Sequence, residues 1–241
     1  MYGTAQQIAP AAGSEPCASC GARADSVCAA INHGDLARLA RIAIGSNVAA
    51  GQTFIHEGDP AADFFNITEG TARLFKQLPD GRRQITGFAR LGDFLGLSHH
   101  GAYTLGAEAI DAVRLCRFPR ASLRAVLDDF PSMERALLRH ADDELAAAQD
   151  QMLLLGRKTA LERLASFLVA RSAAPRPCAC RLTRIALPMT RGDIADYLGL
   201  TIETVSRTFT RLKLDGMIDL PSPQEVVILR PAKLEAMAGG L

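Results

Sequence analysis

Between Ser132 and Lys158 the chain carries an apolar stripe of Met133, Leu137, Ala141, Leu145, Ala148, Met152 and Leu155, stepping by four or three residues. That period approaches the 3.5 residues of a two-stranded coiled coil, and the opposite face holds Arg135, Arg139, Asp142, Asp143 and Asp150. The pattern predicts a helix capped by Ser132 and running to about Lys158. So narrow a stripe suits a partner helix better than a broad core, so a homodimer seam over Leu137, Ala141, Leu145, Ala148, Met152 and Leu155 is expected.

Upstream the period changes. Glycines recur at 51, 58, 70, 81, 87, 92, 96, 101 and 106, between short β-type runs at Thr53–His56, Phe64–Thr68, Ala72–Gln77 and Gln84–Phe88. Closely spaced turn signals of this kind predict an antiparallel roll or sandwich, with a hairpin at Pro79-Asp80-Gly81. Before it, Asp35–Ile44 reads as a short helix. Downstream, Thr159–Ser172 reads as a helix, followed by a Pro-rich loop. Then come Thr190–Leu198, Gly199, Thr201–Asp215, Gly216 and β-type runs at 217–220 and 226–229. Two helices about a glycine turn, followed by a short hairpin, outline a winged helix-turn-helix. The fold expected is therefore α+β, with an N-terminal antiparallel β-roll, a long dimerisation helix and a C-terminal winged helix-turn-helix. The divisions are 1–30 (cysteine-rich), 31–130 (roll), 131–158 (dimer helix) and 159–241 (DNA-binding).

Charge sharpens this division. The 241 residues carry a net charge of only +1, yet residues 157–241 hold 13 Lys and Arg against 8 Asp and Glu. A basic last third behind an acidic remainder directs a polyanion to the C-terminal part. Within it, Thr201 caps the second helix, and Glu203, Ser206 and Arg207 fall at i, i+3 and i+4 on one face. Such a face suits the major groove: Arg bonds guanine bidentately, Glu accepts from a base amine, and Ser does either. Arg211 and Lys213 continue toward the phosphates of double-stranded DNA. No apolar run approaches the roughly 18 residues of a membrane span, and the N-terminus lacks the basic and apolar regions of a secretory signal. A cytoplasmic protein with no membrane partner is expected. No substrate or enzymatic cofactor motif is present, so no enzyme is expected.

Six cysteines remain: Cys17, Cys20, Cys28, Cys116, Cys178 and Cys180. Three thiolates spaced C-x2-C-x7-C can wrap a cluster or a zinc ion, and Cys116 is the candidate fourth ligand. Cys178 and Cys180 read as incidental thiols. A cyclic nucleotide needs a cation for its phosphate, but no Lys or Arg occurs from Leu91 to Val113. His99 and His100 read as surface residues, and no cyclic nucleotide is expected.

The segment TRGDIADYLGLTIETVSRTFTRLKLDGMI resembles the recognition region of the Crp/Fnr superfamily of bacterial transcription regulators. The roll and long helix precede it in that superfamily's order, so the resemblance covers nearly the whole chain. Glu203, Ser206 and Arg207 match the Glu-x-x-Ser-Arg pattern of the Fnr/FixK branch, which implies an inverted repeat of TTGAT half-sites. Crp-like members carry Arg where this chain has Ile202. Cys17, Cys20, Cys28 and Cys116 resemble the ligands of an oxygen-labile 4Fe–4S cluster, with a spacer like that of the FnrN-like subgroup. The resemblance implies an oxygen-responsive activator that dimerises when its cluster forms in low oxygen. It also implies contact with RNA polymerase, for which the hairpin Leu78–Gln84 is one surface. A same-fold regulator with zinc or a thiol switch is the alternative, and an iron–sulfur electron carrier leaves the helix-turn-helix unexplained.

Overall fold

The computed structural model describes residues 17–98, 101–172 and 183–239. Contacts divide the chain into two compact units, one of residues up to 81 with 86–146, the other of 82–85 with residues from 147 onward.

The first unit opens with the cysteine segment, whose Ser26 caps a 3-10 turn at Val27–Ala30 by accepting from the Cys28 N–H. Helix α1 (Leu36–Ile42) follows. Eight strands come next: β1 (Ile44–Val48), β2 (Thr53–Ile55), β3 (Asp63–Glu69), β4 (Ala72–Gln77), β5 (Arg83–Ala89), β6 (Phe94–Leu95), β7 (Gly106–Ala109) and β8 (Val113–Pro119). They form two four-stranded sheets, ordered β1-β8-β3-β6 and β2-β7-β4-β5. Gly81, with φ of 88°, supplies the left-handed residue of the expected β4–β5 hairpin.

Strand alternation decides what each face does. In β8, Val113 and Leu115 join Phe65, Ile67, Leu74 and Ala107 in the core of the roll. Cys116 and Phe118 point the other way, and so do Phe64 and Asn66 of β3. That outer face is covered by Val27, Cys28, Ile31, Leu36 and Leu39, with Leu123 and Val126 of α2 (Arg120–Asp129). The β1-β8-β3-β6 sheet is thus buried on both sides.

Helix α3 spans Pro131–Arg157. Ser132 does not cap it; its Oγ donates to the carbonyl of Ala30 at 2.9 Å. Met133 and Leu137 are buried in the core beneath the cysteine segment, at 0% and 8% exposure. The exposed apolar row instead begins at Leu138 and continues through Leu145 and Met152, at 64%, 58% and 65% exposure. Steps of seven, with Ala141 and Ala148 between them, give this exposed row a heptad period, and it starts one residue later than the expected stripe.

The second unit holds the end of α3 and α4 (Ala160–Ser172), capped by Thr159 and Glu162. Leu155, expected in the seam, is half-buried here, and a side chain at Gly199 would meet its Cδ2 at 3.1 Å. Next come β9 (Thr183–Ala186), α5 (Arg191–Leu198), α6 (Ile202–Leu214), β10 (Ile218–Ser222), β11 (Glu225–Ile228) and α7 (Pro231–Ala238). The wing has three strands, ordered β10-β11-β9, rather than the hairpin alone. No helix among the described residues is long and apolar enough to cross a membrane.

Candidate nucleic-acid interface and metal centre

Local rules set the reader. Thr190 accepts from the Asp193 N–H while the Asp193 carboxylate accepts from the Thr190 N–H, a reciprocal cap on α5. Gly199 closes the helix in the left-handed region at φ 61°, and Thr201 caps α6 through the Thr204 N–H. Val205, Phe209 and Leu212 of α6 are buried against Ile194, Ala195 and Leu198 of α5, all at 2% exposure or less. The face left outside carries Thr201, Glu203, Ser206, Arg207, Arg211 and Lys213, all exposed. Its own backbone N–H, then the Thr201 hydroxyl and the Arg207 charge, hold the Glu203 carboxyl below its ordinary range, so it presents an ionised acceptor. Arg211 pairs with Asp215 at 2.8 Å and Lys213 with Asp219 at 3.0 Å. A phosphate contact by either must exchange those partners.

Sequence reasoning missed three arginines that shape the two units. Arg191 at the start of α5 stacks 3.4 Å over the Phe209 ring and so braces the reading helix from behind. Arg163 donates to the carbonyls of Leu155, Lys158 and Leu198, serving two helix C-termini at once. Arg120 donates to the carbonyls of Ala61, Gly96 and Ser98. None has a local sequence signature, because each partner is a backbone carbonyl or a ring distant in the chain.

In the first unit, Cys17, Cys20, Cys28 and Cys116 line one cavity of about 270 Å³. No disulfide joins them. β8 brings Cys116 there because Asn66 and Gly45 stand opposite it on β3 and β1, and a Cβ at Gly45 would meet nothing within 4 Å. Burial first, then the crowding of Cys20, Cys17 and Cys28, pushes the Cys116 thiol up to about 12. Burial also raises the Cys28 thiol, against the lowering bond from Ser26 and the Arg23 charge. Among the described residues, two shielded polar atoms at the cavity have no hydrogen-bond partner, Arg23 Nε and Asn66 Oδ1. Among the described residues no three Cys, His, Asp or Glu side chains converge tightly enough to hold one ion. Cys178, Cys180, His99 and His100 lie outside the described residues.

The glycine loop is tied to this segment: Gly92 has φ of 91°, and a Cβ there would lie 2.5 Å from the Asp25 carbonyl oxygen. Beside the loop is a smaller pocket of about 90 Å³, edged by Phe94, Leu95, Tyr103, Thr104 and Glu144. No Lys or Arg lines it among the described residues. Desolvation raises the Glu144 carboxyl, partly offset by His140, whose Nε2 sits 2.8 Å from the Phe94 carbonyl.

A capped two-helix reader with a β-wing, preceded by an eight-stranded roll and a long helix, defines a class: DNA-binding transcription regulators of the winged type. Comparison with known proteins gives the family. A Crp-like helix-turn-helix domain matches residues 162–237, and a cyclic nucleotide-binding domain matches 46–130. The chain is 40% identical over 222 residues to the nitrogen fixation regulation protein FixK of Bradyrhizobium diazoefficiens, covering 92% of this chain and 93% of that one. It is 37% identical over 229 residues to the transcriptional activator protein FnrL of Cereibacter sphaeroides, covering 92% of each. The structure of FixK2 from Bradyrhizobium japonicum superposes with a TM-score of 0.76 at 35% identity, over 81% of this chain and 97% of that one. The chain belongs to the Crp/Fnr family and is a transcription regulator, not an enzyme.

Proposed function

We propose that this regulator is oxygen-responsive, with Cys17, Cys20, Cys28 and Cys116 holding a 4Fe–4S cluster in low oxygen and α6 reading inverted TTGAT repeats as a homodimer. The observation that carries this reading is the meeting of Cys116 with three cysteines about ninety positions earlier in one cavity. The donor set fits the group: four sulfurs, soft ligands of the kind iron–sulfur clusters take, around a cavity rather than around a single-ion point. When bound, such a cluster supplies one-electron, oxygen-sensitive chemistry.

The chain's own residues link that site to assembly. Val27, Cys28 and Ile31 share a core with Met133 and Leu137, and the Ser132–Ala30 bond pins the start of α3 to the same segment. Ordering the segment through its thiolates therefore orders the first turns of α3. The exposed row from Leu138 through Ala141, Leu145, Ala148 and Met152 then meets its twin. Two half-sites summed give a specificity that one short helix lacks. The relatives named as transcriptional activators support an activating role, and RNA polymerase is the partner this implies. A cyclic nucleotide does not suit this reading: its phosphate would face Glu144 in a pocket lined by no Lys or Arg among the described residues, while Arg120 is engaged by three carbonyls. The protein acts in the cytoplasm, where its DNA is.

The test is anaerobic purification, with iron and sulfide analysis and an absorption spectrum before and after air. Iron and sulfide in near-equal amounts, with a visible band lost in air, are expected. Zinc without sulfide would replace this reading with the single-ion one.

A further inference from the structure

The cavity that the four cysteines line is edged by a half-buried cation, one of whose N–H groups is shielded and unmatched among the described residues. Arg23 lies between Cys20 and Cys28, and its backbone N–H donates to the Cys20 carbonyl at 3.2 Å. Its guanidinium is anchored at one end, where Nη2 donates to the Ile31 carbonyl at 2.8 Å. Its Nε is shielded from solvent and has no hydrogen-bond partner among the described residues. A buried N–H of a charged group left unmatched costs more than a neutral one, and such groups in native folds need an explanation. Arg114 also lines the cavity, but it is exposed and pairs with Glu69 at 3.2 Å.

We propose that Arg23 is a positioning residue for the cluster, donating its Nε–H to a ligand sulfur and placing its fixed charge against the thiolates, so that it sets the cluster's reduction potential. This rests on the cluster reading above. Four thiolates around a 4Fe–4S core leave net negative charge partly out of water, which calls for a counter-charge at the cavity wall. Arginine supplies one that no accessible pH removes. Hydrogen bonds to the sulfurs and net charge are two of the properties that set cluster potentials. Both act in one direction here: each favours the more negative, reduced state, so removing Arg23 lowers the potential.

The test uses the full chain purified anaerobically as parent, Arg23→Ala, Arg23→Gln and Arg23→Lys. Iron and sulfide per chain are measured first, then the potential by dye-mediated titration, then the rate of iron loss to a chelator. Arg23→Ala is expected to lose iron about tenfold to a hundredfold faster, the usual scale for losing a partner of a metal ligand. Its potential shifts negative, and Arg23→Lys, which keeps the charge, lies nearer the parent than Arg23→Gln. If Arg23 serves only to hold Ile31, all three variants lose iron alike and the loaded fraction keeps the parental potential. That result overturns the proposal. Where Arg23→Ala holds too little iron to titrate, the Lys and Gln forms decide, and equal potentials in those two overturn it. A parent chain without iron and sulfide is a different failure, seen before any variant is compared, and it removes the cluster reading itself.

Discussion

Arg207 and Lys213 both stand exposed on α6, yet their surroundings predict different losses. Arg207 sits beside Glu203 and Ser206 near the capped start of the helix, where side chains reach base edges. Losing a bidentate guanine contact costs about 1–3 kcal/mol per half-site, and a symmetric dimer loses it twice. Arg207→Ala should therefore bind a TTGAT repeat little better than random DNA, as measured by competition at fixed salt. A variant that still prefers guanine would end this reading of the helix. Lys213 instead pairs with Asp219 at the far end of α6. Lys213→Ala should weaken binding to all sequences alike and flatten its salt dependence, the mark of a phosphate contact. Their place on the exposed face of α6 was legible because residue type and spacing carry that signal. Arg191, Arg163 and Arg120 were not, since a ring or carbonyl partner brought near by folding leaves no trace in local sequence.

At the scale of elements, α3 shows what periodicity can and cannot decide. The helix was legible, but Leu137 and Leu138 are both apolar and fit the stripe equally well by pattern. Only tertiary burial separates them, sending Leu137 into the roll's core and Leu138 to the outside. Other elements were missed for local reasons. β1 reads IGSNV, too polar and glycine-broken to announce a strand, and α2 follows β8 at Pro119 with no loop to mark the change. The shifted seam yields a paired prediction. Leu145→Glu puts a charge on the exposed row and should give a monomer that keeps its iron, read by anaerobic sedimentation. A dimeric Leu145→Glu protein would sink the seam. Met133→Ala, on the buried side of the same helix, should instead cost about 2–5 kcal/mol of stability in the first unit. The two substitutions test one helix through separate faces.

At the scale of the whole chain, the cysteine segment was legible as a spaced set of thiols but not as part of a core. The sequence offers C-x2-C-x7-C and a distant Cys116; it does not reveal that Cys28 packs with Phe64, Phe94 and Phe118 and with the first turns of α3. That packing is non-local, and it changes what loss of the thiolate site should do. On the proposed cluster reading, Cys116→Ser should abolish iron retention, because its sulfur on β8 would be the one proposed ligand outside the N-terminal segment. The backbone of the roll should survive, since Val113 and Leu115 on the other face of β8 keep its inner core intact. The segment 17–31 and the start of α3 should loosen together, because they share Val27, Cys28, Ile31, Met133, Leu137 and the Ser132–Ala30 bond. Hydrogen exchange makes this measurable, since cooperative units open as contiguous blocks. In the air-treated parent and in Cys116→Ser, amides of 27–31 and of 133–140 should exchange faster than in the anaerobic parent, by similar factors. Amides of α5 and α6 should keep their rates, as their caps and the Phe209 core are intact. Should the start of α3 exchange identically with and without iron, the packing seen here would not be the link from sensor to seam.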